Sequence, residues 1–185
     1  TISEVGGTIS ASPNFGYELC VNKVADSDLD GLDLGSWRLA FNGAEAVRPE
    51  TVERFGARFA PCGFRAEAMT PVYGLAESSV ALCFPLSARE PRVDAVARDA
   101  LAGDARATPT SPGDPSALHF VSVGRPLAGH AVRVVDDRDG DIAPRLVGRV
   151  LFRGPSCMAG YYHNPTATAH ALRPDGWIDS GDLGY

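Results

Sequence analysis

Three short segments of this 185-residue chain set an aromatic ring, two carboxylates and several glycines in a suggestive order: Tyr73-Gly74-Leu75-Ala76-Glu77, Gly160-Tyr161-Tyr162 and Asp179-Ser180-Gly181-Asp182-Leu183-Gly184. An aromatic ring such as Tyr73 can stack on a base, which contributes about 1–3 kcal/mol. A carboxylate such as Glu77 is a hard oxygen ligand, and Mg²⁺ at phosphates is held by one or two such groups together with phosphate oxygens. Asp182 offers two acceptor oxygens, enough for two neighbouring ribose hydroxyls at about 1.5–3 kcal/mol for each charge-assisted bond. Gly181 and Gly184 let a backbone come close to what it holds. Together the parts read as a nucleotide site. Each part also has a plainer role: a Tyr-Gly turn with a half-buried ring, a solvated Glu, a Ser-Gly-Asp loop.

In series, these segments resemble the adenylate-forming enzymes, the superfamily of acyl-CoA synthetases, adenylation domains and luciferases. Tyr73 to Glu77 is similar to the family's Tyr-Gly-x-Thr-Glu segment. Gly148 to Gly154 and on to Tyr162 is similar to its Gly-Glu-Leu strand and Gly-Tyr element, and Asp179 to Gly184 to its Thr-Gly-Asp-Leu segment. The fatty acyl-AMP ligase branch is nearer still, through Ser12-Pro13-Asn14-Phe15-Gly16-Tyr17-Glu18-Leu19-Cys20, Phe41-Asn42-Gly43-Ala44-Glu45-Ala46-Val47, and Ala76 where many relatives have Thr. The resemblance runs over essentially the whole chain.

That resemblance implies roles residue by residue. Tyr73, Gly74 and Ala76 would lie at the nucleotide, Asn42, Gly43, Ala44 and Glu45 at the adenine edge, Asp182 at the ribose and Glu77 at Mg²⁺. Asn14, Phe15, Tyr17 and Leu19 would border the acyl pocket. Many relatives carry His near Asn14; this chain does not, so a histidine-gated carboxylate step is not carried over. The implied activity is that of an ATP-dependent fatty acid adenylating ligase, which forms acyl-AMP and pyrophosphate and passes the acyl group to an acyl carrier protein or polyketide synthase. Two alternatives stay open: a long-chain acyl-CoA synthetase, and a truncated nucleotide-binding module without turnover. A Ser/Thr/Gly-rich phosphate loop with its Lys and a late lysine do not occur, nor does any GxxxxGK[ST] or GxGxxG string. In the family those parts lie upstream and downstream, so the chain is expected to be an internal fragment, inactive alone and without catalytic residues of its own.

Composition sets the class. With 44% hydrophobic residues the chain can build a sizeable core, and a net charge of −6 argues against a nucleic-acid partner. No apolar run approaches a membrane span and no leader pattern opens the chain, so a cytoplasmic protein is expected. Cys20, Cys62, Cys83 and Cys157 have neither zinc nor disulfide-framework spacing and are expected to be small buried apolar groups. His119, His130, His163 and His170 show no metal spacing, and exposed or capping roles are expected.

The elements that must position these residues follow from pattern. The expected fold class is α/β, part of the large N-terminal domain of an adenylate-forming enzyme. A mixed sheet flanked by helices fills residues 1–118, with a surface insertion at 85–118, and a small antiparallel sheet or barrel fills 119–185. Ser12 is expected to cap a helix opening at Pro13, with Phe15 and Leu19 on one face, packed in the core or against an acyl chain. Trp37 to Phe41 reads as a strand running into the Asn42-Gly43 turn, and Pro49 to Phe59 as a helix with Val52, Phe55 and Phe59 along its core side. Val80 to Phe84 reads as a strand. The Pro- and Gly-rich stretch from Pro85 to Leu118 reads as a long surface excursion, which in the fatty acyl-AMP ligases is an insertion thought to hinder the domain motion that lets coenzyme A react. Strands at 131–135 and 147–152 flank an Asp139-Gly140 turn, Asn164-Pro165 opens a short helix, and Asp182 is expected at a strand exit.

Overall fold

The computed structural model describes residues 2–85 and 89–185, so residues 86–88 of the expected insertion lie outside the described residues. The chain divides into two compact units: Thr1–Tyr73, Cys83–Asp94 and His119–Arg125 form the first, and Gly74–Leu82, Ala95–Leu118 and Pro126–Tyr185 the second.

The first unit opens with a single helical turn, α1 (Ile2–Val5), and is built on three parallel strands in the order β1 (Ile9–Ser12), β2 (Leu39–Asn42), β3 (Met69–Pro71). Helix α2 (Asn14–Lys23) connects β1 to β2, and α3 (Pro49–Phe59) connects β2 to β3. Two successive crossovers that advance in one direction with the usual right hand bring both helices to the same face of a sheet. Here α2 and α3 enclose an aromatic core of Tyr17, Trp37, Phe55, Phe59 and Phe64. Phe55 is its centre: it meets Tyr17 edge-on at 5.0 Å and Phe64 edge-on at 5.0 Å, with Phe59 at 4.6 Å. Pro49 starts α3 because its missing N–H is one that a first helical turn leaves unpaired anyway. The expected bounds of that helix are the observed ones.

Helix α2 departs from expectation at its start. Pro13 occupies the N-cap position without a side-chain cap, and the Ser12 hydroxyl donates to the Pro13 carbonyl instead. The orphan N–H of Phe15 is met by Glu45 Oε1, thirty residues on, at 2.7 Å. The core side of α2 is formed by Asn14 and Tyr17, while Phe15 and Leu19 are 59% and 48% exposed. Phe15 and Leu19 therefore do share a face, but it is not the core face. The expected Val80–Phe84 strand shrinks to β4 (Cys83–Phe84), because Val80 stands at φ 79 and is exposed.

The second unit centres on an antiparallel sheet in the order β10-β9-β8, of strands β8 (Ala131–Val135), β9 (Gly148–Arg153) and β10 (Ile178–Gly184). Val135, Leu151 and Trp177 pack on it. Helix α5 (Pro165–Ala171) precedes β10, capped by the Asn164 side chain, which accepts from the Ala167 N–H at 3.0 Å. The stretch read as a surface excursion holds β5 (Val93–Val96), α4 (Arg98–Asp104) and the start of β6 (Leu118–Val121), ahead of the short β7 (Arg125–Pro126). Burial of Ala95, Val96 and Ala107 orders it, and the backbone of Ala105 and Ala107 bonds to Val147 and Arg145 at 2.8 Å each. Small side chains leave too weak a periodicity in the sequence to show this. Among the described residues, no helix is long and apolar enough to cross a membrane.

Candidate functional site

In the first unit the parallel register aligns Ser12, Asn42 and Pro71 across the three strands. These residues end β1, β2 and β3, so the segments beginning at Asn14, Gly43 and Val72 all leave the sheet along one carboxyl edge. Ligands of open parallel sheets sit at that edge. Every first-unit candidate lies on these three exits.

The edge stands on a buried polar chain. Asn42 is fully buried, and its Nδ2 donates to Asn14 Oδ1 at 3.3 Å, which also accepts from the Arg48 N–H at 3.2 Å. Asn14 Nδ2 donates to Thr51 Oγ1, and that hydroxyl donates to Glu18 Oε2 at 2.8 Å. Thr51, followed by Asn22 and Arg54, holds the Glu18 carboxyl below the usual range. Asn42 Oδ1 is buried without a partner. Asn14 and Asn42 thus face inward as structural hubs, and what the second exit offers a ligand is backbone at Gly43, Ala44 and Glu45. Ala44 stands at φ 64, a conformation that costs an L-residue energy and that clusters at functional loops. Tyr17 also faces inward: its hydroxyl donates to the Phe41 carbonyl at 2.8 Å, and burial raises its pKa. Of the four acyl-pocket candidates, Phe15 and Leu19 present apolar surface.

Tyr73 is partly buried and fixed by two backbone bonds with Cys83, at 3.1 and 2.7 Å. Both are characteristic of a narrow antiparallel bridge. Gly74 then enters the second unit, where a Cβ would come within 1.7 Å of the Val80 carbonyl oxygen, so only glycine fits. Ala76 opens a 3₁₀ turn, Ala76–Ser78, which ends with Ser79 and Val80 at φ 53 and 79.

That turn presents Glu77, whose Oε1 accepts from the Tyr161 hydroxyl at 2.6 Å while its carbonyl accepts from the Met158 N–H at 2.8 Å. The Glu77 carboxylate raises the pKa of the Tyr161 phenol. Ser156 braces the same turn by donating to the Ser78 carbonyl at 2.9 Å, and His130 Nε2 lies 2.7 Å from the Ser156 hydroxyl. His130 is thus half-buried in a bracing role rather than exposed. One oriented carboxylate fits Mg²⁺ held chiefly by phosphate oxygens. Among the described residues no group of three or more His, Cys, Asp or Glu gathers to hold a metal unaided.

Asp182 stands inside β10 rather than at a strand exit. Asp179 pairs with Leu151 and Leu183 with Arg149, so Ser180, Gly181 and Asp182 bulge opposite Val150 alone. The bulge pushes Asp182 outward into an exposed position. An open surface pocket of about 540 Å³ is lined by Arg149, Tyr161, Ala167, His170, Ala171, Asp179 and Gly181, the residue before Asp182. The Tyr161–Glu77 bond, which joins residues 84 apart in sequence, and the bulge geometry have no local sequence signal. Of the cysteines, Cys62 and Cys83 are buried as expected, but Cys157 is only half-buried and Cys20 is exposed.

Comparison with known proteins bears on these positions. Residues 1–162 match the AMP-binding enzyme family. A Caulobacter vibrioides protein provisionally named an acyl-CoA synthetase is 38% identical over 179 residues, 96% of this chain and 31% of that protein. A medium-chain-fatty-acid–[acyl-carrier-protein] ligase of Moorena producens is 37% identical over 195 residues, 100% of this chain and 33% of the ligase. The crystal structure of a fatty acyl-adenylate ligase from L. pneumophila, in complex with acyl adenylate and pyrophosphate, superposes with a TM-score of 0.92 at 34% identity, over 100% of this chain and 33% of that one. The chain therefore spans about a third of the length of the curated relatives it matches.

Proposed function

The chain belongs to the AMP-binding enzyme family, and from that premise we propose that it is the nucleotide-holding part of a fatty acyl-AMP ligase. The observation that carries this reading is the single carboxyl edge at which the segments from Asn14, Gly43 and Val72 leave three adjacent parallel strands. An edge of that kind suits a nucleotide lying over strand ends, and the exposed Phe15 and Leu19 beside it suit an apolar acyl chain.

In the reaction, a fatty acid carboxylate oxygen attacks the α-phosphorus of ATP in line, the bond to the β-phosphate bridging oxygen breaks, and pyrophosphate leaves with that electron pair. The protein's part is to position groups and stabilise charge. Tyr73 stacks on the adenine, the backbone of Gly43, Ala44 and Glu45 meets its edge, and Asp182 accepts from the ribose hydroxyls. Glu77, oriented by Tyr161, would hold Mg²⁺, which when bound neutralises phosphate charge. The acyl group is then passed to the thiol of an acyl carrier protein, the bond to the phosphate oxygen breaks, and AMP leaves. The name of the Caulobacter vibrioides relative favours a second reading, in which coenzyme A is the acceptor.

Product analysis of the full-length parent with a labelled long-chain fatty acid, ATP and Mg²⁺, with and without coenzyme A, separates the two. Accumulation of acyl-AMP regardless of coenzyme A is the expected result. Conversion to acyl-CoA would assign the second reading, and formation of neither would leave a binding module.

A further inference from the structure

The second unit contains a closed ring of four charges. Arg149 donates to both Asp139 and Asp179, and Arg173 donates to the same two carboxylates, from Nε to Asp139 Oδ2 at 2.9 Å and from Nη2 to Asp179 Oδ2 at 3.0 Å. The ring ties together the turn after β8, strand β9, the segment after α5 and strand β10. Isolated surface pairs contribute little, but a network of multidentate Arg–carboxylate bonds is the exception. Asp179 is its least exposed member, with 16% of its side chain accessible. Hydrogen bonds from Arg149 and then Arg173 hold the Asp139 carboxyl below the usual carboxylate range.

The ring has a second connection. Asp179 uses Oδ2 for both arginines and leaves Oδ1 to accept from the Gly181 N–H at 3.0 Å. That bond spans the start of the bulge. Ser180 closes the rest, its hydroxyl donating to the Val150 carbonyl at 2.8 Å and accepting from the Asp182 N–H at 3.1 Å. Gly181 takes φ 78, the left-handed conformation that lets both side-chain bonds form. The backbone position of Asp182 within the bulge of β10 is thus set by Asp179 and Ser180, and Asp179 is itself held by two guanidiniums.

We propose that Asp179 is a positioning residue for nucleotide recognition: clamped by Arg149 and Arg173, it fixes the bulge so that the Asp182 carboxylate meets the ribose hydroxyls. The proposal rests on the ribose role given to Asp182 above. Its signature is selectivity, because loosening the bulge loses the hydroxyl contacts and leaves base and phosphate contacts in place. A general loss of folding would weaken ATP and 2′-deoxy-ATP alike.

The test is the ratio of Kd for 2′-deoxy-ATP to Kd for ATP in the full-length parent and its variants. The parent is expected to prefer ATP by about tenfold or more, the effect of one hydrogen bond to a charged group. Asp182→Ala should bring the ratio to about one, and Asp179→Ala should lose most of the preference, with Asp179→Asn, which keeps an oxygen for Gly181, restoring part of it. Should Asp179→Ala fail to fold, Arg173→Gln reads the same ring from outside the sheet and should lower the ratio by a smaller factor. A ratio unchanged in folded Asp179→Ala or in Arg173→Gln, while Asp182→Ala abolishes it, would overturn the positioning role alone. A ratio unchanged in Asp182→Ala would overturn the ribose reading and this proposal with it.

Discussion

At the scale of single residues, the contact between Tyr161 and Glu77 matters most, because it turns an otherwise solvated carboxylate into an oriented one. Groups that orient a metal ligand typically account for about 10–100-fold in metal affinity. Glu77→Ala in the full-length parent is therefore expected to raise the Mg²⁺ concentration for half-maximal adenylate formation. Tyr161→Phe should raise it by a smaller factor of about ten. Mn²⁺ binding followed by electron paramagnetic resonance should weaken in the same order, and identical Mn²⁺ affinity in all three proteins would remove Glu77 from the metal. Cys83 supplies a different residue-scale expectation. Burial pushes its thiol from an ordinary 9.0 up to about 11. Because the folded value is the higher one, the stability linked to this group is complete below pH 9 and is lost as pH rises from 9 through about 11. The unfolding midpoint should fall across that window, and Cys83→Ala should flatten the fall.

At the scale of elements, the first unit depends on two devices of different visibility. The aromatic side of α3 was legible because Phe55 and Phe59 sit one helical turn apart behind Pro49. Phe55→Ala should cost about 3–5 kcal/mol in chemical denaturation, since its neighbours Tyr17, Trp37 and Phe64 would line a cavity. The start of α2 was not legible: Ser12 is the local capping signal, yet the N–H of Phe15 goes to Glu45. Glu45→Ala should destabilise by about 1 kcal/mol, the usual loss for a cap, where Ser12→Ala should cost less. Equal effects of the two substitutions would refute that assignment.

At the scale of the whole molecule, the stretch between β5 and β6 is an ordered segment that holds α4. It is held through Ala105 and Ala107 to the connection before β9, with the Arg145 guanidinium also donating to the Ala107 carbonyl. If its role is to keep coenzyme A out, replacing residues 98–117 with a short Gly-Ser linker in the full-length parent should leave acyl-AMP formation in place and let coenzyme A become a productive acceptor. Product distribution unchanged from the parent would make the stretch a bystander.

Side chains within a few positions of one another were enough to establish the family, the helix Pro49–Phe59, the short antiparallel sheet and the identity of the residues worth testing. The relations between distant segments came from the folded chain alone. They include the common carboxyl edge reached from Ser12, Asn42 and Pro71, the inward turn of Asn14, Asn42 and Tyr17, and the exposure of Phe15 and Leu19. The Tyr161–Glu77 bond and the charge ring behind Asp182 belong with them. One cause underlies all of these. A hydrogen bond between groups 30 or 84 residues apart leaves no periodicity in the chain, and a strand bulge is set by the register of its neighbour rather than by its own residues.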